Sequence, residues 1–97
     1  MMNEKGSWLP LKGIKVADFT QVIAGPACSM LLADMGADVI KIEPLSGDFW
    51  RRTVSGSAFL NFNRNKRGIA IDVKPKEGYE AILRIIKNSD VLIENFS

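Results

Sequence analysis

The 97-residue sequence predicts an α/β protein with a parallel sheet, its elements in the order β-α-β-loop-β-α-β. Two observations carry that reading. Four short, β-rich apolar segments recur, at IKVADF (14–19), ADVIKIE (37–43), IAIDV (69–73) and VLIEN (91–95). Helical patterns separate the first from the second and the third from the fourth. Strands that alternate with helices in this way give right-handed crossovers and parallel neighbours.

The elements follow in chain order. Residues 1–12 read as an N-terminal arm, with Trp8 and Leu9 tucking onto the domain before Pro10. Ile14, Val16 and Phe19 mark the first strand. Thr20 to Gly25 is its exit loop. Gly25 suits a helix N-cap, and Pro26 suits the first helical position, where no N–H is needed. ACSMLLADM (27–35) then predicts a helix with Met30, Leu31 and Met35 on one face, and Gly36 stops it. Pro44 ends the second strand because it cannot donate a ladder hydrogen bond. Residues 44–68 are the least regular stretch. Pro75 and Lys76 open a second helix running to about Asn88. Its Tyr79, Ile82, Leu83 and Ile86 fall at i, i+3, i+4 and i+7. Residues 13–97 thus read as the front part of a larger domain, since two helices cover both faces of a parallel sheet poorly.

Composition narrows the function. Thirteen basic and eleven acidic residues leave a formal charge of +2, too balanced for general nucleic-acid or membrane affinity. There is no histidine, which excludes His-based triads, His zinc ligands and a His general base from this chain. No metal site is expected. The single cysteine, Cys28, permits no intrachain disulfide and fits a reducing compartment. The N-terminus MMNEKGSWLPLKG has no apolar h-region, and no apolar run approaches the roughly 18 residues of a membrane span. A soluble cytoplasmic protein is expected.

Ligands of open α/β sheets bind outside the carboxyl ends of the strands. Three loops gather there: Gln21–Pro26, Glu43–Asp48 and Glu94–Phe96. The helix opening near Pro26 aims its N–H groups at the same edge, which suits a phosphate. Glu43 stands 18 residues after Gly25, like the acid that holds the ribose of a dinucleotide. The glycine triplet is missing, however, and AGPAC puts proline where close backbone approach is needed. A solvated strand end is the plainer reading of Glu43. NRNKR (63–67), with Arg51, Arg52 and Lys74, is either a solvated face or a phosphate clamp. Phe59 and Phe62 are either base-stacking or core residues. Cys28 is read as core or half-buried rather than as a nucleophile, Asp18 as a hydrogen-bonding strand-end carboxylate, and Trp50 as loop packing.

Taken together, LKGIKVADFTQVIAGPACSMLLADMGADVIKIEP, NFNRNKRGIAIDVKPKEG and SDVLIENF resemble, in this order, the N-terminal segments of family III CoA-transferases. That group includes formyl-CoA:oxalate and carnitine CoA-transferases and the related α-methylacyl-CoA racemases. The resemblance covers roughly residues 9–97. It implies a Rossmann-like domain, residues 13–97 being its N-terminal part, in a larger enzyme that forms an interlocked homodimer. It implies coenzyme A or acyl-CoA as ligand and a carboxylic acid as the second substrate, held along the carboxyl edge of the sheet. By matched position, Ile23, Ala24, Ile71, Lys74, Asn95 and Phe96 are the implied CoA contacts, with Lys74 a phosphate partner. Pro44 falls where some members carry a CoA-binding arginine. In the transferases a catalytic aspartate attacks the thioester and carries the acyl group as a mixed anhydride. It lies downstream of the ENF segment, so no carboxylate here, Asp18, Asp34 and Asp48 included, inherits that role. Two alternatives remain: an acyl-CoA racemase or epimerase, whose His/Asp pair would also lie downstream, and a non-catalytic module that binds CoA or a partner.

Overall fold

A computed structural model describes residues 9–48, 51 and 57–96, with 57–59 as backbone only. Expectations for residues 1–8, Trp50, Arg52 and the Phe59 side chain lie outside the described residues. The elements are β1 (Lys15–Asp18), α1 (Ala24–Asp34), β2 (Asp38–Glu43), α2 (Ser57–Phe62), β3 (Arg67–Ala70), α3 (Lys76–Lys87) and β4 (Val91–Ile93). All four strands are parallel, in the order β3-β2-β1-β4. The expected α/β architecture is therefore present. The register pairs Lys15 with Asp38 and Val16 with Val91, and β3 enters at Ile40–Arg67.

Strand alternation assigns the two faces. Val16 and Val39 pack with Ala33 of α1 and with Ala37. Ala17 and Ile42 pack with Ile71 and with Ile82 of α3 on the other side. Winding proceeds from β1 through β2 to β3, then returns past β1 to β4. It reverses between β1 and β4, the position where open sheets of this kind bind ligands.

Several local expectations are corrected. α1 begins at Ala24, so Pro26 is the third helical residue and Ile23 the N-cap. Pro26 still lies in the first turn, where a missing N–H costs no helical bond. Gly25 lies inside the helix, not at its cap, and is buried against Thr20. A Cβ added there would lie 2.4 Å from Thr20 Cβ, so the glycine permits close approach of helix and loop. Of the apolar face expected on α1, Met30 is buried, but Leu31 and Met35 are exposed. The residues facing the sheet are instead Ser29, Met30 and Ala33. The stop at Gly36 is as expected: its φ is +103°, its N–H donates to Ala33 O, and Ala37 N–H reaches back to Leu32 O.

β3 spans 67–70, not 69–73, because a turn with Asn65 at φ +64° ends early enough for Arg67 to join the ladder. In α3 Ile82 is buried and Ile85, Ile86 and Ala81 pack beside it, whereas Tyr79 and Leu83 stay exposed. The contact stripe is turned from the one the spacing suggested. The irregular 44–68 stretch contains the short helix α2. Leu11 N–H donates to Met35 O, tying the chain before β1 to the end of α1.

Candidate functional site

A cleft of about 530 Å³ opens at the carboxyl edge of the sheet. Each strand contributes the residues that follow it. Phe19 and Gln21 come from the β1 exit, and Glu43, Pro44, Leu45 and Ser46 from the β2 exit. Ile71 to Lys74 follow β3, and Phe96 follows β4. The volume is in the range of small-molecule sites. Its lining is mainly apolar because Ile42, Ile71 and Ile82 belong to the α3-side core and surface here at the strand ends.

Lys74 is the lysine of this lining, and Phe96 is 67% exposed beside it. Lys74 N–H donates to Asp72 Oδ1 at 3.1 Å, which shapes the turn after β3 and leaves the ammonium at the surface. Glu43 is not a solvated strand end. It is 6% exposed, and its Oε1 accepts from Asp48 N–H at 2.8 Å and from Arg51 Nε at 2.7 Å. Oε2 accepts from Arg51 Nη2 at 3.0 Å. The guanidinium thus neutralises a carboxylate that strand alternation places on the same side as Lys41, behind the strand end that borders the cleft. Glu43 also fastens the β2 exit turn, in which Gly47 N–H donates to Pro44 O.

Beneath α1, on the other face, lies a buried charged network. Asp18 accepts from Ser29 Oγ at 2.6 Å, from Thr20 N–H at 2.9 Å and from the Thr20 hydroxyl. Lys66 Nζ lies 2.9 Å from Asp18 Oδ2 and donates to Asn63 Oδ1 and Pro26 O at 2.7 and 3.1 Å. Lys41, on a strand otherwise rich in valine and isoleucine, pairs with Asp48 at 2.9 Å and donates to Thr20 O at 2.8 Å. Burial pushes the Asp18 carboxyl up, but the hydrogen bonds from Ser29, Thr20 and Lys66 outweigh it and hold it below its ordinary value. Burial pulls the Lys66 ammonium down, and Asp18 opposes that only in part. As expected, Asp18 is a hydrogen-bonding strand-end carboxylate.

The cations of the NRNKR run are each paired with a carboxylate. Arg64 bridges to Asp34 at 2.8 Å, Arg67 to Asp38 at 2.7 Å, and Lys66 is sealed under α1. These cations tie α1 and β2 to the segment leading into β3; Arg64 and Arg67 do so from a solvated face, 58% and 67% exposed, and Lys66 from the interior. Cys28 is exposed, not buried. Phe62 is half-buried. Among the described residues no group of acids or cysteines is placed to hold a metal, and no helix is long and apolar enough to cross a membrane.

Ile71, Lys74 and Phe96 therefore come together in one cleft. Asn95 sits at its edge with its amide engaged by cleft-lining Gln21: Gln21 N–H donates to Asn95 Oδ1 at 3.1 Å, and Asn95 Nδ2 donates to Gln21 O at 2.8 Å. Ile23 and Ala24 are exposed at the start of α1 and are not part of the cleft lining. The sequence places Gln21 in a candidate loop but does not show its pairing with Asn95, 74 residues away, or the buried lysine pair. A lysine between isoleucines in VIKIE was the available signal for Lys41.

The sequence model for CoA-transferase family III matches residues 11–97. The chain is 47% identical over 92 residues to CoA-transferase/lyase DddD of Marinomonas sp., covering 95% of this chain and 10% of that protein. It is 46% identical over 94 residues to formyl-CoA:oxalate CoA-transferase of Escherichia coli O6:H1, covering 90% and 23%. The crystal structure of a CAIB/BAIF family protein from Brucella suis superposes with a TM-score of 0.85 at 40% identity, covering 91% and 26%. The chain spans about a quarter or less of each.

Proposed function

The chain belongs to CoA-transferase family III, and on that premise we propose that it supplies part of the coenzyme A site of an enzyme that moves CoA from an acyl-CoA to a carboxylic acid. The observation that carries this is the cleft itself: an apolar floor, an exposed phenyl ring and a surface lysine at the carboxyl edge of a parallel sheet. Phe96 offers a π-face for adenine. Lys74 offers a point charge for a CoA phosphate. Ile71 closes the floor. Glu43, fastened by Arg51, holds the β2 exit turn that forms one wall. Ile23, Ala24 and Asn95 belong to the rim and to the loop across which the pantetheine arm would run.

In this reading the nucleophilic carboxylate lies outside residues 1–97. It attacks the thioester carbonyl, carries the acyl group as a mixed anhydride and releases the CoA thiolate. The relatives' names, which are those of transferases, favour transfer over racemisation. The enzyme acts in the cytoplasm as an interlocked homodimer.

The test is made on the full-length protein. Incubation with acyl-CoA donors and carboxylic acids should yield new acyl-CoA by mass spectrometry. Lys74→Ala should weaken CoA binding about tenfold, the loss of one partly solvated charged hydrogen bond, and leave pantetheine binding unchanged. No transfer with any donor, or equal losses for CoA and pantetheine, would refute the assignment.

A further inference from the structure

The turn between β1 and α1 is pinned on both sides of one strained residue. Val22 has φ +76°, in the left-handed region where a β-branched side chain clashes with its own backbone. Before it, Thr20 N–H is held by Asp18 and Thr20 O by Lys41. After it, Ile23 O accepts from Ala27 N–H, and Gly25 is wedged against Thr20. Gln21 is gripped from the far side of the β1/β4 junction by both ends of the Asn95 amide. The Gln21–Asn95 pairing imitates a rung of the sheet, one step beyond the Phe19 N–H to Ile93 O bond. With its flanks fixed, Val22 absorbs the change of direction.

We propose that Asn95 is a positioning residue: a latch that clips the loop after β4 to the loop after β1 and so keeps the turn at Val22 in its strained form. What the turn is held for rests on the CoA reading. Gln21 lines the cleft, and the turn presents the first residues of α1 to the same edge. Asn95 then serves the ligand through Gln21, because its carbonyl oxygen and its amino group each have a main-chain partner there.

A double-mutant cycle on the full-length protein separates a latch from a contact. Strain held by the latch is relieved by Val22→Gly, because glycine adopts positive φ freely. In the Asn95-intact protein that substitution should raise the unfolding midpoint by about 2 °C. In the Asn95→Ala background it should give no gain, the turn having already relaxed. For the ligand, Asn95→Ala should raise the CoA dissociation constant about tenfold, and adding Val22→Gly should bring it back to within about threefold, since binding no longer has to restore the strain. Equal stabilisation by Val22→Gly in both backgrounds would overturn the latch. So would an affinity loss that the second substitution leaves in place, which would make Asn95 a direct ligand contact. If the unsubstituted protein binds no CoA, the functional reading fails, and the stability cycle still decides the latch.

Discussion

Replacing Lys66 with methionine tests the buried network most severely. The Lys66 side chain is 2% exposed and its ammonium has three oxygen neighbours, Asp18 Oδ2 at 2.9 Å, Asn63 Oδ1 at 2.7 Å and Pro26 O at 3.1 Å. Methionine fills most of the volume but offers none of these contacts. Two effects compete. Removing a buried ammonium saves its desolvation cost, which already holds Lys66 below its ordinary pKa. Against that, Asp18 stays charged and fully buried with only the neutral donors of Ser29 and Thr20, and Asn63 Oδ1 and Pro26 O each lose a charged donor. Breaking one side of a buried pair costs about 3–5 kcal/mol because the remaining charge is uncompensated, so the second effect wins. The double variant Asp18→Asn/Lys66→Met removes both charges and should lose about 2 kcal/mol less than the sum of the singles. The assay is urea unfolding of the full-length protein and the three variants, read as midpoint shifts at constant slope. A Lys66→Met cost below about 1 kcal/mol, in the range of surface ion pairs, would refute the reasoning. Strict additivity in the double variant would refute it equally.

Close packing at α3 and the charge on Asp18 each make a further prediction. Gly78 faces the end of β3 so closely that a Cβ there would lie 1.8 Å from Asp72 O, a backbone atom that cannot swing aside. Gly78→Ala should therefore destabilise by about 2 kcal/mol despite alanine's advantage of roughly 1 kcal/mol inside a helix, and an unchanged or raised urea midpoint would contradict it. The acid limb of stability should carry the mark of Asp18. Its folded pKa lies below the ordinary 3.8, so its contribution is fully present above that value and is lost as pH falls through the folded one. Stability measured from pH 5 downward should fall more steeply in the unsubstituted protein than in Asp18→Asn, and parallel curves would count against the ion pair.

The alternation of strands and helices and the parallel sheet were legible because each rests on local pattern: β-rich segments at 14–19 and 37–43, a glycine stop at 36, a 3.6-residue period in α3; the order β3-β2-β1-β4 was not. What was not legible depends on contacts across the sheet. NRNKR reads the same whether its cations face water, phosphate or carboxylates. Only the fold brings Asp34, Asp38 and Asp18 to Arg64, Arg67 and Lys66. Glu43 looked solvated because nothing in its own strand shows that Arg51 folds back onto it. The α3 stripe turned because the helix lies close to Asp72 at Gly78, which directs Ile82 and Ile85 inward and leaves Tyr79 and Leu83 outside. The link from Asn95 to Gln21 exists only once β4 has been laid beside β1.

The central claim is that CoA lies in the cleft at the carboxyl ends of the strands. Hydrogen exchange on the full-length protein with and without CoA tests it most directly, because backbone amides report the ligand's position independently of turnover. The account predicts slower exchange in peptides covering Gln21–Ala24, Ile71–Lys74 and Glu94–Phe96, with no change at the opposite edge around Lys15, Asp38 and Asn88. Unchanged exchange in those three loops with CoA bound, or protection confined to the opposite edge, would contradict it.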